Sequence, residues 1–440
     1  MQLSQHFTCR RLLRYCLPSI IMMVFTSVYG VVDGFFVSNF AGKTPFAAVN
    51  FIMPILMILG CAGFMFGTGG SALIGMALGE GDNKKSNNIF SLVVYSSIVC
   101  GVFLAIIGLV ILRPVATLMG AEDEMLRQCL IYGGIFLAGL PFYILQYEFQ
   151  CLFATADKHK LGMYVTIIAG CTNIVLDALF VAVFPWGVAG AAVATVISQI
   201  AGGIIPLVYF LRKNDSPLRL TKCSFDGTAL LKTCTNGSSE LMSNISASVV
   251  GMLFNVQLMK YAGENGVAAY GVLMYVSMIF QAIFLGYTVG TAPVVSYHYG
   301  ADNKDEVKNL LKKSLIIVAA VAVCMFVAGE LLSWPLAKIF VGYDAELMDM
   351  TVNAFYIFSF SFLFFGFSVF GSSFFTALGD GLTSAAIAFL RTLVFQIAAV
   401  MLLPLIFGLN GIWASIVAAE IVSVAVMAVF FAIKRKKYGY

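Results

Sequence analysis

The sequence predicts an all-α polytopic membrane protein, with twelve transmembrane helices in two six-helix bundles related by pseudo-two-fold symmetry. Three observations carry that expectation. Hydrophobic residues make up 60% of the chain and charged residues 11%, with a mean hydropathy of +0.93. A soluble domain carries about 25% charged residues, so this chain has too few to cover an aqueous surface. Long apolar runs alternate with short polar clusters, and the clusters recur at an interval of about 220 residues.

Only helices and closed barrels satisfy their backbone in lipid, and these runs are far longer than the roughly 10-residue strands of a barrel. They place candidate spans at 15–40, 46–78, 89–112, 129–153, 161–184, 187–211, 238–259, 266–298, 314–335, 350–377, 383–407 and 410–433. The first follows a basic flank and runs on to Phe40 without a small-residue cleavage site, which predicts a retained helix rather than a signal peptide. The second and eighth exceed the hydrocarbon thickness and contain glycines, so each is expected to tilt or bend.

With the N-terminus inside, the cytoplasmic segments hold 20 of the 26 Lys and Arg and the outer loops hold 5, with Arg391 left within a span. That asymmetry predicts both termini on the cytoplasmic side of a cell membrane, the inner membrane in a bacterium. "GEGDNKKSNN" (79–88) matches "YGADNKDEVKN" (299–309), "FATADK" (153–158) matches "FTALGDG" (375–381), and "WGVAGAA" (186–192) matches "GLNGIWA" (408–414). Six helices followed by six in the same orientation make parallel repeats about an axis along the membrane normal. The expected organisation is an N-terminal bundle (1–211), a polar cytoplasmic linker (212–237) and a C-terminal bundle (238–440). Both repeated loops and the "KRKK" near the C-terminus read as solvated turns and topology anchors.

Several functions are disfavoured at once. The excess positive charge lies in short loops and at the ends, so no nucleic-acid partner is implied. The ten cysteines are scattered without CxxC spacing, and His6, His159 and His298 lie far apart, so neither a metal enzyme nor a cofactor is predicted. No nucleotide-binding GxxxxGK[ST] motif occurs. An intramembrane protease or acyltransferase would need a nucleophile with its base, and no histidine falls where one is required. The chain is therefore read as a transporter, not an enzyme, with the lipid bilayer as its standing partner.

The informative residues are charges inside the spans. An acid at membrane depth costs about 2.5 kcal/mol or more and by default marks a functional site. Asp33 and Asp177 each lie about seven residues before the outer end of a span, hence at similar depth. Tyr29 precedes Asp33 by four residues and Asn173 precedes Asp177 by four, which puts each pair on one helix face. Glu148 and Glu240 lie toward the inner ends of their spans, as structural or gating residues. Arg391 is expected to be a buried partner of Glu240 or Glu420. Five intramembrane acids facing one base bias the interior toward cations. The 39 Phe and 20 Met supply aromatic and pliable surfaces suited to flat organic cations.

"LPSIIMMVFTSVYGVVDGFFVSNFAG" (17–42), "TNIVLDALFV" (172–181), "GVAGAAVAT" (187–195) and "NGSSELMSN" (236–244) resemble the multidrug and toxic compound extrusion (MATE) transporters, most of all their MepA-like bacterial branch. The resemblance spans essentially the whole chain. It implies antiport of Na⁺ or H⁺ against amphipathic organic cations by a monomer. It also implies a cation site at Asp33, Asn173, Asp177 and Thr195, with Tyr29 and Tyr132 lining the same region. Substrate would then touch Tyr29, Asp33, Tyr132 and Asp177. NorM-type members use acids on helices 7 and 10, and span 10 here has none. The alternative, a flippase of lipid-linked oligosaccharide, needs a cationic cavity for pyrophosphate, and Arg391 is the single intramembrane base.

Overall fold

The computed structural model describes residues 3–342 and 344–440, and no strand occurs among them. Ten segments are long and apolar enough to cross a membrane, and a bent pair over 123–155 adds an eleventh. The 74-residue helical segment Gly227–Gly300 is two spans, because Gly263 has non-helical dihedrals (φ 61, ψ −149). Phe254 and Tyr270 stack at 5.3 Å on either side of it, so the chain doubles back there. The spans, twelve among the described residues, are α1 (Cys9–Ala41), α2 (Thr44–Gly79), α3 (Asn83–Leu118), α4 (123–155), α5 (His159–Val183), α6 (Gly187–Leu211), α7 (227–262), α8 (264–300), α9 (Lys304–Val341), α10 (Ala345–Ala377), α11 (Gly381–Phe407) and α12 (Leu409–Tyr438).

The repeat is written into the backbone as well as the sequence. Left-handed residues pair across the halves as Gly42 with Gly263, Gly81 with Asp302, Asp157 with Gly379 and Gly187 with Gly408, each pair 221 or 222 residues apart. Left-handed dihedrals end a helix, and the capping side chains that follow start the next one. Asp82 accepts from Lys85 N at 2.9 Å, Asn303 from Glu306 N at 3.1 Å and Asp380 from Thr383 N at 3.3 Å. α4 bends by 56° at Gly139, and its counterpart α10 is interrupted by a 3₁₀ turn at Ser359–Ser361.

One of the expected boundaries moves. α7 begins at Gly227 rather than 238, because Asp226 caps it by accepting from Thr228 N and Ala229 N. The polar stretch 227–237, read as linker, is therefore helix. Residues 212–226 are the connector, and they dock back on the N-terminal half. Thr221 N donates to Ser91 Oγ at 2.9 Å, Arg219 N to Asn87 Oδ1 at 2.6 Å, and Lys158 pairs with Asp215 at 2.7 Å. The Lys158 ammonium holds the Asp215 carboxyl below its ordinary range.

The halves meet backbone to backbone. A Cβ on Gly69 would lie 2.0 Å from Thr233 O, and one on Gly237 2.0 Å from Met65 O. A Cβ on Gly79 would lie 2.0 Å from Tyr297 O, and one on Gly300 2.1 Å from Met76 O. α2 thus crosses α7 and α8 through glycine, the residue that lets helices in lipid approach most closely. α1 closes on α8 in the same way, with Gly290 against Cys16 and Gly286 against Ile20. The α2–α8 contact lies on the symmetry axis, flanked by α1–α8 and its mate α7–α2.

Both termini pack at this glycine-sealed end. Leu3 and Phe7 are buried with Tyr438 and Tyr440 in one cluster on the C-terminal half. Glu306 fixes the entering chain, with His6 Nδ1 at 2.6 Å and Phe7 N donating at 3.0 Å.

Candidate functional site

Phe25, Tyr29 and Asp33 recur every four residues on α1 and face α5. A Cβ at Gly170 of α5 would lie 2.5 Å from Phe25 Cε1 and 2.7 Å from Tyr29 Cδ1, so the missing side chain is what admits the α1 aromatics. About two turns further along α5 stands Asp177, fully buried, and its carboxyl adjoins that of Asp33 closely enough to share a hydrogen. Tyr132 of α4 is also fully buried, with both acids and Thr195 of α6 as its polar neighbours. The structure thus gathers Asp33, Asp177, Tyr132 and Thr195. Asn173 joins them only by helix spacing, one turn from Asp177 on the same buried face. The Thr195 hydroxyl donates to Ala191 O at 2.9 Å, which leaves its lone pairs free.

Among the described residues no N–H or O–H is placed to donate to either Asp177 oxygen or to Asp33 Oδ1. Two carboxylates in contact, poorly solvated and without donors, cannot both stay charged unless a proton or cation lies between them. The available donors are hard oxygens: two carboxyls, the Asn173 amide oxygen and the Thr195 hydroxyl. They suit an alkali cation or a proton. No group of three or more His, Cys, Asp or Glu able to hold a metal occurs among the described residues.

The helix geometry around the pair is unusual. The α1 backbone shifts to a π-turn at Val37–Ala41, where Val37 N–H bonds back to Asp33 O, and α5 does so at Ala178–Val183, immediately after Asp177. Arg391 lies within a third π-turn, Leu390–Val394. Single π-turns inside helices cluster at functional positions. Here each adjoins an ionisable residue inside a span.

Tyr29 accepts from Gln146 Nε2 at 3.3 Å, and Tyr143 and Tyr147 pack together at 4.7 Å beside it. Sequence reasoning missed this polar ladder on α4, although its 143/146/147 spacing is that of one helix face.

The expected cargo-lining residues are not open to a cleft in this conformation. Tyr132 and Asp177 are wholly enclosed, so in this conformation they line no cleft. Glu148 is also fully enclosed, accepts from the Ser97 hydroxyl and packs its backbone against Gly67, so it faces no opening in this conformation. Glu240, about 20 Å along α7 from its first residue, borders two interhelical cavities, of 110 and 280 Å³. The tally of five intramembrane acids becomes six, because Glu330 lies inside α9 and accepts from the Ser359 hydroxyl.

Arg391 pairs with Glu420, Nη1 to Oε1 at 3.4 Å, both buried. Removing one partner strands the other charge, which typically costs about 3–5 kcal/mol, whereas replacing both is about neutral. Arg391→Met is therefore expected to lower the melting temperature of the purified protein. Adding Glu420→Leu should recover most of the loss. Melting curves of the two variants in one detergent check both statements.

Two repeated six-helix halves, a glycine seal and an acid pair on α1 and α5, Asp177 buried and Asp33 half-buried, define a multi-pass membrane transporter. The chain belongs to the MatE family, the multidrug and toxic compound extrusion transporters, whose model matches it twice, at residues 18–179 and 241–402. It is 26% identical over 436 residues to the multidrug export protein MepA of Staphylococcus saprophyticus, covering 96% of this chain and 93% of that one. The MepA of Staphylococcus haemolyticus is 25% identical, over 97% and 94%. A solved structure described as the outward-facing conformation of a multidrug resistance MATE family transporter superposes with a TM-score of 0.94. It is 23% identical and covers 100% of this chain and 98% of that one.

Proposed function

We propose that this protein is a secondary multidrug exporter of a bacterial cell membrane, antiporting Na⁺ or H⁺ against amphipathic organic cations by alternating access. The observation that carries the reading is the enclosed contact between Asp33 and Asp177. The coupling ion binds there from outside, neutralises one carboxyl and changes how α1 sits on α5. The bundles 1–211 and 227–440 then rock about their glycine contacts, with both termini in the cytoplasm. The relatives named as multidrug export proteins support the cargo class, as does an interior rich in acids. Pairing of Arg391 with Glu420 weighs against a flippase, because it neutralises an intramembrane base that a pyrophosphate would need.

Proteoliposomes loaded with ethidium test the reading. An inward Na⁺ gradient or an inward pH gradient, imposed separately, is expected to accelerate efflux at least severalfold over no gradient. Efflux indifferent to both gradients sinks the antiport assignment.

A further inference from the structure

The N-terminal end of α1 carries a groove that neither the acid pair nor the glycine seal accounts for. Its 510 Å³ are lined by Arg10, Leu13, Arg14, Leu17 and Ile20, whose spacing of three or four residues makes one helix face. Both arginines are exposed at one end of it, and apolar side chains continue deeper into the span. Leu13 and Leu17 are 40% and 50% exposed, and Ile21 extends the same face at 40%. Neither arginine enters an ion pair among the described residues. Arg11 differs: it lies off this face and donates to His6 O at 3.3 Å. α9 enters the membrane beside α1, where Asn309 Nδ2 donates to Phe7 O at 3.0 Å. Lys312 and Lys313 follow Asn309 by three and four residues, as Arg10 follows Phe7 by three, so the C-terminal half brings further cations to about the same depth. Charges that only set topology act by number and can sit anywhere in their segment. These two arginines instead share one face with an apolar groove and close its end.

We propose that this groove seats an anionic phospholipid of the cytoplasmic leaflet, of the phosphatidylglycerol class, with its phosphate on Arg10 and Arg14 and a chain along Leu13, Leu17 and Ile20. The inference rests on the exporter reading for the side of the membrane alone. Guanidinium groups match the phosphate in geometry as well as charge, and basic pockets beside spans on the cytoplasmic side suit anionic headgroups. A free phosphate would satisfy the arginines and leave the apolar walls uncovered. A zwitterionic lipid would cover the walls and bring its own cation against the arginines. An anionic lipid meets both demands. A Cβ on Gly286 of α8 would lie 2.5 Å from Ile20 Cα. The seat therefore borders the contact between the halves, on the helix that carries Asp33.

Native mass spectrometry of the purified full-length protein, titrated in detergent with dioctanoyl-phosphatidylglycerol and with no gradient, tests this apart from transport. The parent is expected to bind that lipid about fivefold or more tighter than dioctanoyl-phosphatidylcholine, and inorganic phosphate is expected not to displace it. Arg10→Gln combined with Arg14→Gln should weaken binding about tenfold or more. So should Leu13→Glu, which keeps both arginines and sets an acid between them. Arg212→Gln with Lys213→Gln removes the same charge from the connector and should stay within about twofold of the parent. An equal loss in the connector variant would reduce the effect to net charge and overturn the proposal. Equal binding of the two lipids overturns it as well, as does displacement by inorganic phosphate at the lipid's own concentration. Ethidium efflux indifferent to gradients, with phosphatidylglycerol binding kept, would overturn the antiport reading and leave the seat standing.

Discussion

Asp33→Asn and Asp177→Asn are each expected to bring a pump-deficient bacterial host down to the ethidium sensitivity of cells carrying no transporter, with the variant still reaching the membrane. The reason is electrostatic. The two carboxyls adjoin where Asp177 is fully buried and Asp33 half-buried, and no N–H or O–H of the described residues donates to three of their four oxygens. Under the proposed antiport a shared ion or proton holds the parent site together, and one amide in place of one carboxyl removes the need for it. The same physics separates a coupling role from a merely structural one. A structural hydrogen bond, once lost, lowers stability. Relief of two like charges at membrane depth should leave the melting temperature equal or higher. Resistance assays with membrane blots, paired with melting curves, read both quantities. Full resistance in either variant removes the assigned role, and a marked fall in melting temperature would return the pair to structure.

How much of this was legible in the chain depends on what each residue answers to. Asp33 and Asp177 stood out because a charge inside an apolar run has few bland explanations, and the four-residue spacings to Tyr29 and Asn173 fixed their faces. The left-handed turns were visible as repeated polar motifs, since those dihedrals favour Gly, Asp and Asn. The start of α7 was misread for a physical reason. Thr233, Asn236, Gly237 and Ser239 are buried against neighbouring helices, and small polar residues that glue helix to helix score as linker on a scale that measures affinity for lipid. Gln146 and Tyr147 were missed because the 56° bend at Gly139 re-aims the second half of α4, which no linear pattern reveals. The π-turns were invisible for a related reason: the cap residues Phe36, Asp177 and Phe389 that lead into them keep ordinary right-handed dihedrals. Glu240 looked like an end residue until the helix proved to begin well before it.

The seal itself offers the other large effect. Gly79→Leu combined with Gly300→Leu is expected to hold the termini-side contact open and to abolish resistance. The nearest atoms to the added Cβ at position 79 belong to Tyr297 of α8 and to Ala301, which caps it, and those at position 300 all belong to α2. At 2.0 and 2.1 Å, against backbone rather than flexible side chains, these clashes cannot be relieved by a rotamer change. The nearest clashes of each added Cβ are with the other half rather than with its own. Helix pairs with ordinary side chains between them run about 8–10 Å apart, so α2 and α8 must separate by a few ångströms at the crossing. About 5.5 kcal/mol is enough to invert a two-state equilibrium from 1:99 to 99:1, and two overpacking substitutions at about 1–3 kcal/mol each approach that. Spin labels at Lys84→Cys and Asp305→Cys, with the exposed Cys171 and Cys324 replaced by serine, should report a longer distance in the double variant than in the parent. Ethidium resistance should fall to background, because a seal that cannot close cannot alternate. Parent-like distances together with parent-like resistance would mean that the glycines serve close packing alone and that the halves part somewhere else.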